Sequence, residues 1–477
     1  PRLSVDIHNL SLSLISGEQE LQLAQALAAE VASAVLEDPG SILSLDGEPG
    51  RVSLVGPSAV KTSSTSFVPT TATATQPTLP PLNPLRGVAY RALPCRDQHC
   101  GGEGIPSEDL LQAGYSAQWG AEGRDDLAII RNLGGNAVRT YHSIGDNTMK
   151  SHGGFLDRAE ELGMNVLPGY HTDLVTHAGI CPDFDCFEDW KNLTLNALEL
   201  GYRRDNGWHP AIAALVLFDE PDHFEHQDKC DPPGPWCRVK AVLSAVEGVL
   251  AAEQEAGVEP GRVKLAVTWS FAVKESIDGA VEAAGVYGFQ DMRAAVANPA
   301  IANYTLRLPQ AEFEQAMRER WVNGLNTNAP WTYVNGIVTE HYSGPTPWFL
   351  GAYGASELER AIIEADLESM DQLARSNVGF LGAVFNEFQT AYHRGGSELN
   401  FGLFSLGEAT IARTGTVCDA LHPCSRRTVH CLGADLSEWL PTGTRAQRAQ
   451  AVAAAWGGQI AGAGLCATRR LAASEEA

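Results

Sequence analysis

Basic residues are scarce in this chain of 477 residues: 34 Lys and Arg stand against 58 Asp and Glu, a formal charge of -24. Such a surface repels phosphate backbones and anionic lipids, so nucleic acid is not an expected partner, whereas a neutral ligand such as a glycan is not repelled. Long apolar runs are also missing. The longest, Ala211 to Phe218, falls well short of the roughly 18 residues that cross a bilayer, so no transmembrane segment is expected. No GxGxxG or Walker pattern follows a strand-like run, and neither HExxH nor a GxSxG elbow occurs. Nucleotide cofactors, a catalytic metal and Ser-His-Asp chemistry are accordingly not expected.

What the chain does have is a globular composition, 44% hydrophobic and 19% charged, at a length that suits one barrel-sized domain with smaller appendages. Six of its ten cysteines form close pairs, Cys95 with Cys100, Cys181 with Cys186 and Cys230 with Cys237. They bracket loop-like sequence such as Cys230-Asp-Pro-Pro-Gly-Pro-Trp-Cys237 and lack a metal-site pattern, so loop-stapling disulfides in an oxidising compartment are the better reading. Sequons at Asn9, Asn192 and Asn303 fit a secreted or cell-surface glycoprotein. The chain begins at Pro1 without a methionine or a signal-like segment, so upstream sequence, the secretory signal included, is expected to have been removed.

Four regions are expected. Residues 1–60 read as a small β-α-β-β module, similar in layout to ferredoxin-like or SEA-like modules. Residues 61–84, rich in Ser, Thr and Pro, cannot build a core and read as a linker. Residues 85–410 alternate short β-rich runs with helical stretches, the pattern of βα units on a parallel sheet. Residues 411–477 form a Cys-containing extension, either a small cap or the last barrel helix with additions. Eight strands are expected, at Gly87–Leu93, Ala137–His142, Asn165–His171, Ile212–Asp219, Val263–Ser270, Val286–Gln290, Ile337–Tyr342 and Leu381–Phe388. Eight is the number that closes a (β/α)8 TIM barrel. Two intervening helices end at Gly134-Gly135 and Gly163, where a left-handed cap is wanted.

The active site of this barrel class lies at the C-terminal ends of the strands, where the chain places many polar residues. Glycosidic cleavage needs one carboxylic acid to protonate the leaving oxygen and a second carboxylate to attack or to activate water. Glu220 on the expected strand four and Glu340 on the expected strand seven would face each other across the mouth, about 5 to 5.5 Å apart in a retaining enzyme. Tyr141, Tyr170, Trp269, Tyr287 and Tyr342 offer surfaces on which sugar rings stack. His142 and His171 could bind hydroxyls, and Arg139 could pair with a site carboxylate. Glu387 follows an equally apolar strand and is placed in substrate binding.

The runs Arg86-Gly-Val-Ala-Tyr90, Asn136-Ala-Val-Arg139-Thr-Tyr141, Leu217-Phe-Asp219-Glu220, Thr339-Glu340-His-Tyr342 and Gly382-Ala-Val-Phe-Asn386-Glu387-Phe388 resemble, in the same order, motifs of the fungal wall β-1,3-glucanosyltransferases, glycoside hydrolase family 72 of clan A. The resemblance covers roughly residues 86–405. It implies Glu220 as acid/base, Glu340 as nucleophile and Tyr287 as the tyrosine that hydrogen-bonds the nucleophile, with Tyr90 in a substrate-binding motif. One residue departs from the clan pattern: the acid/base usually follows an Asn, and here it follows Asp219. Asparagine can donate a hydrogen bond to a sugar hydroxyl, whereas an ionised aspartate only accepts.

The leading expectation is therefore a secreted, retaining β-glucan hydrolase or transglycosylase working by double displacement. The rival is a barrel that binds a poly- or oligosaccharide without cleaving it, as a structural part of a larger extracellular protein or assembly.

Overall fold

The computed structural model describes residues 82–96, 109–145, 151–171, 181–221, 236–271, 273–275, 281–342, 344–377, 379–417, 424–434 and 445–467. All fall in one compact unit, Ala74–Ala477. The expected module at 1–60 and nearly all of the expected linker lie outside the described residues.

Eight parallel strands form one sheet: β1 (Leu85–Ala89), β2 (Ala137–Arg139), β3 (Asn165–Leu167), β4 (Ala214–Asp219), β5 (Lys264–Ser270), β6 (Trp321–Thr327), β7 (Trp348–Tyr353) and β8 (Phe380–Phe385). The sheet edges β3 and β4 meet through the bridges Val166–Ile212 and Gly169–Val216, with Val216 N–H donating to the Pro168 carbonyl at 2.9 Å. The sheet is thereby closed into a (β/α)8 barrel.

Helices cover its outside: α1 (Asp126–Asn132), α2 (Gly153–Glu161), α3 (Phe187–Ala197), α4 (Trp236–Ala256), α5 (Ala284–Ala297), α6 (Gln310–Arg320), α7 (Trp331–His341) and α8 (Arg360–Ser376). Alternation along the strands divides the apolar residues into two cores. Leu85, Ala137, Ala214, Val216, Ala266, Val322, Phe349 and Val384 fill the barrel, while a larger cluster lies between strands and helices. Gly134 and Gly163 have φ of 93° and 63°, the left-handed conformation expected after α1 and α2.

Two expected strands require correction. Val286–Gln290 lies in α5, and Ile337–Tyr342 is the last turn of α7 and the residue after it. Both runs carry β-branched or aromatic residues, but on α7 the buried Trp331, Val334 and Val338 have helical spacing. The true β6, Trp-Val-Asn-Gly-Leu-Asn-Thr, and β7, Trp-Phe-Leu-Gly-Ala-Tyr, are interrupted by glycine and asparagine. Tertiary packing explains those residues. A Cβ on Gly324 would come within 2.6 Å of Thr268 Cγ2, and one on Gly351 within 2.3 Å of the same atom.

Beyond β8 the chain forms a hairpin, β9 (Ser405–Arg413) with β10 (Thr428–Gly433), and then helix α9 (Arg448–Trp456). Arg86 of β1 holds Asp371 of α8 through two hydrogen bonds and donates to the Trp456 carbonyl at 2.9 Å. Gln459 N–H donates to the Asn132 carbonyl. Helix α9 therefore takes the position of the eighth barrel helix, between α8 and α1.

Disulfides join Cys181 to Cys186 and Cys431 to Cys466, and Cys95, Cys237 and Cys424 are also disulfide-bonded. No described helix is long and apolar enough to cross a membrane.

Candidate active site

Simple alternation from Ala214 and Val216 would point Phe218 into the barrel and Asp219 out of it. A bulge between Val216 and Phe218 reverses this: Leu217 and Phe218 both join the outer core, and Asp219 turns inward. Glu220 follows at φ 50°, in a left-handed conformation that costs a side-chain-bearing residue on the order of 1–2 kcal/mol. Its N–H donates to the Thr268 carbonyl at 2.7 Å, which ties the turn to β5.

Asp219 is the hub of the barrel mouth. Its Oδ1 accepts from Arg139 Nη2 at 2.5 Å, Thr268 Oγ1 at 2.7 Å and Asn326 Nδ2 at 2.8 Å. The same Asn326 amide nitrogen donates to Glu220 Oε1 at 3.0 Å, so one side chain orients both acids. Burial pushes the Asp219 carboxyl upward, but the Arg139 charge, followed by Arg91 and the bonds from Thr268 and Asn326, outweighs it. Together they hold the group at about 2, ionised at any physiological pH. Arg139 is fully buried and spans the barrel interior to reach Asn326 Oδ1 at 3.0 Å. Gly351 makes room for it, since a Cβ there would lie 2.9 Å from Arg139 Nη1.

Above this layer is a cleft of about 490 Å³. Arg91 and Tyr141 form one side, Asp219 and Glu220 the next, Ser270 and Phe271 follow from β5, Asn326 to Ala329 from β6 and Ala352 from β7. Asn386, Arg394, Glu398 and Phe401 close it after β8. The guanidinium carbons of Arg91 and Arg139 lie 3.5 and 4.2 Å from the centre of the Tyr141 ring, so that ring serves the two arginines. Burial raises the Tyr141 hydroxyl, and Arg139 and Arg91 oppose the shift.

The expected site residues divide accordingly. Arg139, Tyr141, Asp219 and Glu220 come together at the mouth. Glu387 is buried at the end of β8, near enough to act electrostatically on Tyr141, and is not among the cleft-lining residues. His142 and His171 stack edge to face at the ends of β2 and β3, 4.8 Å between ring centres, both half-buried and beside the cleft rather than lining it.

Other expected binders belong to the packing. Tyr90 is buried and donates to Asp126 Oδ2, Tyr170 is buried against Trp190 with its hydroxyl on Thr194, and the ring of Trp269 packs against Gly288 of α5. The Tyr342 hydroxyl accepts from Asn323 and donates to the Thr346 carbonyl. That contact lies at the opposite end of the barrel, because Asn323 pairs with Trp348, the first residue of β7. The side chain of Tyr287, on α5, lies outside the described residues.

Glu340 is the main correction. It is exposed in the last turn of α7, a helix that leaves the mouth after β6 and runs back toward the start of β7. It therefore stands at the barrel end away from Glu220, and the two glutamates do not form a pair. The end of β7, where the second carboxylate was expected, reads Gly351-Ala352-Tyr353-Gly354-Ala355, and Tyr353 points outward to Asp366. Arg91, Asn326, Arg394, Glu398 and Phe401 are cleft residues that sequence reasoning missed. For Asn326 the signal was available in the polar run Asn326-Thr-Asn328 after Leu325, but it was hidden by the misplaced strand six.

Among the described residues, Asp157, Glu160 and His209 bring potential metal-ligand atoms within 4.8 Å of one another. The Arg204 guanidinium hydrogen-bonds all three and supplies the cation there.

The closed parallel sheet and the cleft at the C-terminal ends of its strands define a (β/α)8 barrel with the site position of an enzyme of that class. No protein-family model and no curated protein matches the sequence. Among solved structures, the chain is similar to a β-glucosidase from Thermotoga maritima in complex with noeuromycin (13% identity, TM-score 0.43), over 69% of this chain and 94% of that one. The family 1 β-glucosidase from the same organism without a named ligand gives 14% identity and a TM-score of 0.41 over the same shares.

Proposed function

We propose that the chain is a glycoside hydrolase or transglycosylase of the clan A type, with Glu220 as the acid/base. One observation carries this reading. Glu220 stands at the mouth end of β4, lines the cleft and has its Oε1 held by Asn326, the arrangement that a proton donor to a glycosidic oxygen needs. The narrower reading, a retaining β-1,3-glucan transferase like those the sequence motifs resemble, keeps its acid/base but loses Glu340 as its nucleophile. Secretion is part of the proposal, supported by disulfides, which form and persist in oxidising compartments.

The test is incubation of the full chain with a panel of reduced oligosaccharides, β-1,3-glucans among them, beside Glu220→Gln. Longer products report transfer, and shorter products alone report hydrolysis. Loss of either in Glu220→Gln supports the assignment, and equal activity of the two proteins refutes it.

The missing carboxylate on β7 favours a second reading, a barrel that binds a glycan without cleaving it. Saturable glycan binding without products from any member of the panel would select that reading.

A further inference from the structure

Of the three sequons, Asn9 lies outside the described residues, and the fold treats the other two, Asn192-Leu-Thr194 and Asn303-Tyr-Thr305, differently. The first lies inside α3. Asn192 is exposed there, but Thr194 is fully buried and its hydroxyl is committed twice. It donates to the Trp190 carbonyl at 2.6 Å and lies 2.7 Å from the Tyr170 hydroxyl, with which it shares a hydrogen bond.

The second sequon lies in the connection from α5 to α6, where the short 3-10 helix Pro299–Ala302 ends. Asn303 caps that helix at φ 50° and ψ 43°, a left-handed conformation that asparagine adopts more readily than most residues with a side chain. Asn303 and Thr305 are both exposed, and Tyr304 between them is buried. The Tyr304 hydroxyl donates to Glu247 Oε2 of α4 at 2.6 Å and accepts from Arg307 Nη1 at 2.7 Å. Glu247 Oε1 accepts in turn from the N–H groups of Arg307 at 2.9 Å and Leu308 at 2.7 Å. The buried tyrosine and its glutamate thus anchor the turn from below, while the Asn303 amide and the hydroxyl two residues on stay in water.

We infer that Asn303 is a modification site that carries an N-linked oligosaccharide. The inference rests on the secretion proposed above, and the disulfides Cys181–Cys186 and Cys431–Cys466 belong to the same oxidising compartment. In the transfer, the Asn303 amide nitrogen bonds to the anomeric carbon of an oligosaccharide carried on a lipid diphosphate. The bond from that carbon to the diphosphate oxygen breaks, the diphosphate leaves with the electron pair, and the nitrogen gives up one proton. A sequon is defined by its hydroxyl as well as by its amide. The folded chain presents both at Asn303, whereas at Asn192 it buries the hydroxyl in the packing of α3. An oligosaccharide on the exposed turn remains solvated and displaces no buried group, as a bulky surface modification requires.

The test expresses the full chain behind a secretory leader in cultured mammalian cells and collects it from cells and medium together. Release of N-glycans by an amidase in heavy-oxygen water turns each occupied asparagine into labelled aspartate, which peptide mass spectrometry locates. We expect the label at Asn303 in more than half of the chains, and in a larger share than at Asn192. Thr305→Ala should abolish it and Thr305→Ser keep it, a pair that leaves the left-handed residue itself untouched. The wild-type map decides the matter even if a variant fails to fold. A bare Asn303 in chains whose Cys181–Cys186 bond has formed would overturn the inference and leave secretion standing. Reduced cysteines in chains that reach the lumen would count against secretion instead. Label that survives Thr305→Ala, or higher occupancy at Asn192 than at Asn303, would also overturn the inference.

Discussion

Asp219 and Arg139 stabilise the mouth only as a pair. Replacing Arg139 with methionine keeps most of the side-chain volume but leaves a carboxylate in the barrel without its counter-charge, a change that costs about 3–5 kcal/mol. Urea denaturation at pH 7 should show that loss. The folded protein holds Asp219 at about 2, below the ordinary 3.8. Its contribution is therefore complete above about pH 4 and fades as pH falls toward 2. By linkage it is worth about 2 kcal/mol, read as a fall in wild-type stability across that window that Arg139→Met does not show. Glu220 and Glu340 should separate cleanly in function. If a glycan is cleaved, Glu220→Gln should lower kcat/KM by about 10² to 10⁴, the range for general acid catalysis. Glu340→Gln, at the exposed far end of α7, should leave both activity and melting temperature as in wild type.

At the scale of elements, β6 and β7 show why glycine can belong in a strand. Gly351 gives up the β-propensity of a branched residue so that Arg139 and Asn326 can occupy the same layer, and a Cβ there would lie 2.9 Å from both Arg139 Nη1 and Asn326 Oδ1. Gly351→Ala should cost roughly 1–3 kcal/mol by overpacking, measured as a drop in denaturation midpoint with an unchanged m-value. This is also where the fold was least legible. Six strands could be located because apolar β-rich runs such as Ala214–Phe218 show themselves locally. The run Ile337-Val-Thr-Glu-His-Tyr342 has strand-like composition but is helical because Trp331, Val334 and Val338 share one buried face. The bulge in β4 has no local signature, so that Asp219 points inward could not be read from alternation.

For the whole molecule, barrel closure depends on residues far apart in sequence. Helix α9 packs beside β1, 370 residues apart at Arg86 and Trp456, and Cys431–Cys466 ties the hairpin to the segment that follows α9 across a separation of 35 residues. Replacing both cysteines with alanine should lower stability by roughly 4 kcal/mol, the loop-closure value for a ring of that size, as a thermal scan would detect. The sequence alone determined the alternation of strands and helices, the place of Glu220 directly after β4 and the local disulfide Cys181–Cys186, since strand-like runs, turn glycines and close cysteine pairs act over a few residues. Only the tertiary structure decided which glutamates meet, because the distance between Glu220 and any partner depends on strand order, bulge and helix direction. That geometry removed Glu340 from the site and turned Asp219 from a departure into its centre.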